Sequence, residues 1–509
     1  MTQPFNSQSS LTSSRLLAGN TVWNLFGQLL PTVVGVVAVP PLVRGLGVER
    51  FGILSLAWVV IGYFSFLDLG TGRALTKLVA DKLGARQEES IPPLVWTSLL
   101  FMAGLGLFGT AVALLISPWM VHRALRIPGA LQSEALKGLY LLAISMPLVT
   151  LTSGLRGILE AQQRFRILTL IRIPISILSF AGPLIMLPFS HSMVAIIGVL
   201  VAVRIAGCIA HFLACFHTMP ALRWNFSLQR DVIAPMVRFG GWMTVTNVIG
   251  PVMTYLDRFF VGGLLSVSAI SFYTIPFDAV IRLTIIPNGI TGVLFPAFAV
   301  SLVQDRDRTS LLITRGIKSI FLAVFPVVLI ISVLAPEGLQ LWLGPSFSQT
   351  GAPVLRWLAA GVLVNAIAYV PFVLIQSAGR PDIIAKVEAI QVPLYLIALW
   401  FLTKRFGIEG TAITWTARII LDAIFLFFFS ERLFPHKPGF LLKLGSTTAG
   451  ALGLLGLATV HGSLTMKGSF LAVSLLGFGV TAWLWALAPS ERIFLMRARR
   501  QSPIQSASQ

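Results

Sequence analysis

The sequence predicts an all-α, polytopic membrane protein of about 14 transmembrane helices, built as two six-helix pseudo-repeat lobes plus a C-terminal helical hairpin. Three observations carry this expectation. Hydrophobic residues make up 56% of the 509-residue chain and charged residues only 11%, whereas soluble chains carry roughly a quarter charged residues. Apolar runs near the ~20 residues that cross a bilayer recur, as in Leu99–Pro118, Ile320–Leu334 and Phe470–Ala488. A shift of 219 positions also lays part of the first half over the second, Trp23 onto Trp242, Gln28 onto Asn247, Leu46 onto Leu265 and Val48 onto Val267.

The elements follow in order. Residues 1–15, "MTQPFNSQSSLTSSR", are polar and Ser-rich without an apolar core behind them, and read as a cytoplasmic tail rather than a cleaved signal. Spans beginning near Leu16, Phe51, Leu94, Leu136, Ile167 and Met193 make an N-terminal lobe over 16–218. Its last span is apolar from Val194 to Phe216 apart from Arg204. Residues 219–236 read as a cytoplasmic linker. Spans from Val237, Ala269, Leu312, Val354, Ile383 and Ile408 make the second lobe, 237–431, and those from Phe440 and Ser469 the extra hairpin, 432–489. Residues 490–509 form a basic cytoplasmic tail. Pro31 falls on Gly250, beside Pro251, so spans one and seven are expected to bend at comparable depth.

Net charge is +19. With both termini inside, the inner connections collect about 25 Lys/Arg and the outer ones about 9, the bias that orients spans in a membrane. Much of the excess is therefore a signal to lipid headgroups, and nucleic acid is not the expected partner. Cys208 and Cys215 lie seven apart on one span, roughly 10 Å of rise, too far for a disulfide.

"GLGVERFGILSLA", "DLGTGRALTK" and "YLDRFFVGGLLSVSAISFY" resemble segments of bacterial polysaccharide-exporter flippases. These belong to the multidrug/oligosaccharidyl-lipid/polysaccharide exporter superfamily. Fainter resemblance extends through "EAQQRFRILTLIRI", "QSAGRPDIIAKVEAI" and "GIEGTAITWTARII", covering about residues 15–430. It implies a non-enzymatic flippase of O-antigen type. Such a protein moves a polyprenyl-pyrophosphate-linked oligosaccharide across the bacterial inner membrane by alternating access between two lobes. Lipopolysaccharide or exopolysaccharide synthesis is the setting, with membrane lipids and other polysaccharide-assembly membrane enzymes as partners. No cofactor is implied; membrane potential, H+ or Na+ are the candidate driving forces. A substrate with two negative charges leaving through 100 mV, inside negative, gains roughly 4.6 kcal/mol.

Ionisable side chains within spans cost at least roughly 2.5–3.5 kcal/mol each on insertion scales. Arg204 lies eleven residues, roughly 17 Å, into span six. Leu200, Val201, Gly207 and Cys208, one turn to either side, are neutral. It must borrow a carboxylate from another helix, Asp68 or Asp257, or offer its charge to an anion such as pyrophosphate. Arg282 has Asp278, and Arg418 has Asp422, one turn away. Asp257 and Arg258 fall near the outer end of span seven, where water and headgroups are in reach; the resemblance gives Asp257 a packing or gating role. The candidate pyrophosphate contacts are thus Arg204 first, then Arg282, Arg258 and Arg418. Gln28 and Asn247, at matching positions, are candidates to line the cavity. Asp68, Asp278 and Asp422 are candidate coupling groups. Arg73 and Lys77 share a helix face at the inner boundary and are candidates to meet an arriving anionic headgroup.

Two other functions compete. A multidrug or toxin exporter of the same superfamily would favour exposed carboxylates for cationic drugs, whereas the solitary mid-span charge here is basic. A glycan polymerase or ligase needs reactive outer residues, for which the connection Pro118–Ala135 offers only His122, Arg123, Arg126 and Glu134. "DRD" at 305–307 imitates a transferase metal motif without a soluble domain to bind a nucleotide, and no H-E-x-x-H or G-x-S-x-G occurs.

Overall fold

The computed structural model describes residues 14–64, 71–85, 87–162, 164–229, 231, 255–304, 306–434, 439–457 and 462–482. These residues form helices joined by short turns, with no strand among them. Helix α1 (Ser14–Phe64) is two helices joined at Gly47, whose φ of 75° suits a residue without a Cβ. It stays helical through Pro31; Gly250 and Pro251, the other half of the expected pair of bends, lie outside the described residues. Then come α2 (Thr71–Gly84) and α3 (Ile91–Trp119), which begins on prolines that give up no intrahelical bond there.

The fourth expected span is broken into α4 (Gly129–Ile144) and α5 (Met146–Ala161). Pro147 lies in the first turn of α5 and has no N–H to continue the ladder. Ser145, fully buried at the break, donates its hydroxyl back to the Leu142 carbonyl over 2.7 Å. Helix α6 (Phe165–Met186) leads to α7 (Met193–Thr218), where the Ser192 hydroxyl caps by accepting the Val194 N–H at 3.3 Å. After α8 (Ala221–Trp224) and α9 (255–264), span eight is divided. It runs as α10 (Val267–Ile281), a 3-10 turn at Arg282–Thr284 and α11 (Ile285–Gln304). Helices α12 (Arg306–Val333), α13 (Ala335–Leu343) and α14 (Pro345–Ser377) precede α15 (Pro381–Leu433), itself two expected spans joined at Gly407 with φ 63°. The last two are α16 (Phe440–Leu457) and α17 (Leu464–Thr481). Among the described residues, 10 stretches are long and apolar enough to cross a membrane.

Packing divides the chain into two compact units, Met1–Thr274 with Leu399–Ile408, and Ile275–Ala398 with Glu409–Gln509. Helix α9 and the first half of α10 thus pack with the first unit, downstream of the expected boundary at 237. Within that unit the two repeat-related segments touch reciprocally. Ser271 donates its hydroxyl to the Val48 carbonyl at 2.8 Å. Gly52 lies so close to Val267 that an added Cβ would strike the Val267 carbonyl oxygen. Under the 219-position shift Val48 corresponds to Val267 and Gly52 to Ser271, so each contact is the image of the other. A pseudo-two-fold axis between parallel repeats produces this pattern.

In the second unit α14 is the central helix, with 78% of its apolar window buried. The hairpin is peripheral, 11% buried in α16 and 6% in α17. The Lys467 ammonium ties α17 to the Glu337 carboxylate of α13 at 2.6 Å. Burial pushes the Glu337 carboxyl up, but the hydrogen bond from Lys467 and the nearby cations outweigh it and hold the group below its ordinary value.

Candidate functional site

Arg204 is half-buried in the middle of α7. Among the described residues it makes no hydrogen bond or ion pair, and no carboxylate bears on it. The helix positions it at an edge. Val203 and Gly207 are buried while Ile205 and Ala206 are exposed. One turn inward, Cys208 shares a hydrogen bond with Thr152, and the Cys215 thiol donates to the Leu155 carbonyl at 3.4 Å. Arg204 continues that α5-facing row toward the break at Ser145. Of its two expected structural partners, Asp257 is engaged elsewhere and Asp68 lies outside the described residues.

Asp257 and Arg258 correct an expectation. They do not reach headgroups or water: Asp257 is 0% exposed and Arg258 2%. Small residues pull α9 inward, since a Cβ on Gly263 would meet the Ala124 carbonyl at 2.7 Å and one on Gly262 the Leu125 side chain at 2.9 Å. The Arg126 N–H also donates to the Gly262 carbonyl at 3.0 Å. Each member of the pair has its own company. The Tyr273 hydroxyl donates to Asp257 Oδ2 at 2.5 Å, the Arg258 backbone N–H donates to Oδ1 at 2.8 Å, and the Arg258 guanidinium lies 4.9 Å from the Tyr255 ring centre. Such a carboxylate is expected to be structural. Tyr273→Phe should destabilise the protein by roughly 1.5–3 kcal/mol, the range for a hydrogen bond to a charged group. Chemical denaturation of the purified protein in detergent checks this; an unchanged midpoint would contradict it.

In the second unit Asp278 and Arg282 are half-buried, one turn apart, where α10 gives way to the 3-10 turn. The Tyr369 hydroxyl of α14 hydrogen-bonds with Thr284 and Asn288 just beyond. Arg282 therefore borders a polar patch at an interruption of its span, a geometry that recurs at hinges and sites. Arg418 and Asp422 lie farther along, in the second half of α15, with company that the i,i+4 spacing did not reveal. Gln391 Nε2 donates to Asp422 Oδ1 at 3.3 Å, the Arg418 guanidinium lies 5.5 Å from the Tyr395 ring centre, and Glu388 lies within electrostatic range of both charges. The signal was present: 388, 391 and 395 are polar at i, i+3 and i+7.

The remaining candidates are placed only in part. Gln28 and Arg73 lie on α1 and α2, their side chains outside the described set, Lys77 is exposed on α2, and Asn247 lies outside the described residues. Glu134, noted as reactive material, is tied down by Arg50 at 3.2 Å and by the Met193 N–H at 3.2 Å. An apolar cavity of about 20 Å³ lies in the first unit between Ile53, Leu56, Met120, Leu125, Ile197 and Phe259. That volume admits about one water, so it is no diphosphate site.

Comparison with known proteins completes the picture. Residues 17–302 match the polysaccharide biosynthesis protein family. A putative O-antigen transporter of Shigella flexneri is 31% identical over 408 residues, 80% of this chain and 96% of that protein. Among solved structures, the lipid II flippase MurJ in an inward closed conformation superposes with a TM-score of 0.67 at 13% identity, over 90% of this chain and 97% of MurJ. An inward-facing multidrug transporter of the MATE family gives 0.65 at 16% identity, over 80% and 94%. At these identities the two structures establish the fold.

Proposed function

The chain belongs to the polysaccharide biosynthesis protein family, and from that premise we propose that it is a flippase translocating a polyprenyl-pyrophosphate-linked oligosaccharide. The O-antigen transporter relationship supports that substrate class. The apolar stretches support a multi-pass membrane protein; the bacterial inner membrane, with both termini cytoplasmic, is the setting the charge bias favours.

One observation carries the mechanism: a guanidinium halfway along α7 with no carboxylate beside it among the described residues. An unneutralised Arg at that depth is expensive without an anion, and its fork of donors suits a phosphate. Arg204 replaces water around the pyrophosphate; in the second unit Arg282, beside the Thr284–Asn288–Tyr369 patch, is a separate candidate for an anion contact. The sugar stays hydrated and the polyprenyl tail remains in lipid.

Exit of an anion down the potential needs no nucleotide. Collapsing the potential across reconstituted vesicles is expected to slow flipping of a lipid-linked oligosaccharide several-fold, in line with roughly 2.3 kcal/mol per charge per 100 mV; an unchanged rate would remove this driving force. Deleting the gene is expected to leave lipid-linked repeat units facing the cytoplasm. Single units displayed outside would instead indicate a polymerase.

A further inference from the structure

Two faces of α15 meet through polar side chains that the pyrophosphate mechanism does not use. Glu388, Gln391 and Tyr395 share one face of its first half, while Arg418 and Asp422 are one turn apart on its second. The Gln391–Asp422 hydrogen bond and the Arg418–Tyr395 stack hold these faces together. The charges do not balance. Glu388 and Asp422 are both half-buried, and the charged groups bearing on them, among the described residues, are each other and Arg418. Two carboxylates thus face one guanidinium, leaving one negative charge in excess within a span, which is costly to keep bare.

Gln391 supplies an independent observation. It is 2% exposed, and while its Nε2 serves Asp422, its Oε1 is buried with no partner among the described residues. A buried acceptor of this kind calls for a donor. A protonated carboxyl meets both needs: its O–H can donate to Oε1, and the added proton cancels the surplus charge. A sodium ion would meet the amide oxygen but would stand against the Arg418 charge.

We propose that Glu388 and Asp422 together hold one exchangeable proton, with Gln391 as a positioning residue and Arg418 as a fixed counter-charge, and that this site couples transport to proton movement. In the cycle, a hydronium ion on the outer side gives a proton to a Glu388 oxygen; its own O–H bond breaks as the new one forms, and neutral water is left behind. The new bond breaks when water on the inner side accepts the proton. Inward proton and outward anion move charge in the same sense, so the site adds to the potential-driven step. The coupling rests on the flippase reading above; the binding of the proton does not.

The test is infrared difference spectroscopy of the full-length protein in liposomes through a pH titration, following the C=O stretch of a protonated carboxylic acid. The wild type is expected to show such a band, unmoved when sodium replaces choline. Glu388→Gln should abolish it, and Gln391→Leu should shift its midpoint by about one pH unit, the loss of one hydrogen bond. A band unchanged in both variants, or one erased by sodium, would overturn the proposal. Size-exclusion profiles check folding; if Glu388→Gln fails to fold, the Gln391→Leu midpoint decides. In flux measurements, a pH gradient should accelerate wild-type flipping and leave Glu388→Gln unaffected, while both respond to the potential. A wild type that flips nothing would refute the flippase reading and leave the infrared result standing.

Discussion

Arg204→Ala is expected to lower flipping of a lipid-linked oligosaccharide by on the order of 10- to 100-fold, the equivalent of losing one charge-assisted hydrogen bond to phosphate. Arg204→Lys should fall between, keeping the charge and losing the planar fork. The companion measurement is stability. A guanidinium clasped by a structural carboxylate would leave that partner uncompensated when removed, at roughly 3–5 kcal/mol. Among the described residues Arg204 has no such partner. Its removal should therefore leave the thermal midpoint unchanged or raise it, because a buried charge has gone. Reduced flux with intact stability marks a ligand contact; normal flux, or a collapse of both together, would end Arg204's candidacy.

Gly52→Ala is expected to be the most damaging single-methyl change in the first unit. Its new Cβ meets a backbone carbonyl, that of Val267, with the Val267 Cγ1 at 2.8 Å. Backbone cannot rotate aside as a side chain does, so α1 and α10 must part, and the nearby Ser271–Val48 hydrogen bond is strained. Overpacking of this kind costs roughly 1–3 kcal/mol. Gly198→Ala on α7 is the control. Nothing lies within 4 Å of its added Cβ, and replacing a mid-helix glycine gains about 0.5–1 kcal/mol. Thermal unfolding in detergent should separate the two variants in opposite directions. Equal midpoints would mean that α1 and α10 can part at little cost.

Some of the candidate site is legible in the amino-acid order. Arg204 is marked by what surrounds it in the chain, four neutral neighbours one turn away, and its place in α7 brings no carboxylate to it among the described residues. Arg282 is marked by its span, though the 3-10 interruption and the Tyr369 patch are not. The burial of the pair Asp257–Arg258 is not legible in the sequence, because position along a span gives axial depth and says nothing of the bundle around it. Glycines 262 and 263, which the sequence offers only as generic packing residues, are what seat α9 against the turn at Ala124 and close the pair off from water.

The chain alone determined the helical membrane fold, the turns before Phe51 and Ile408, and the internal repeat. Low charge, apolar runs of spanning length and positional recurrence are properties of a linear sequence. Only tertiary structure decided who meets whom: Tyr273 with Asp257, Gln391 with Asp422, Gly52 with Val267. In a soluble helix the buried face is the apolar one, so periodicity reveals it. In lipid the outward face is apolar too, and hydrophobic pattern no longer distinguishes a face that packs from one that merely dissolves in the bilayer.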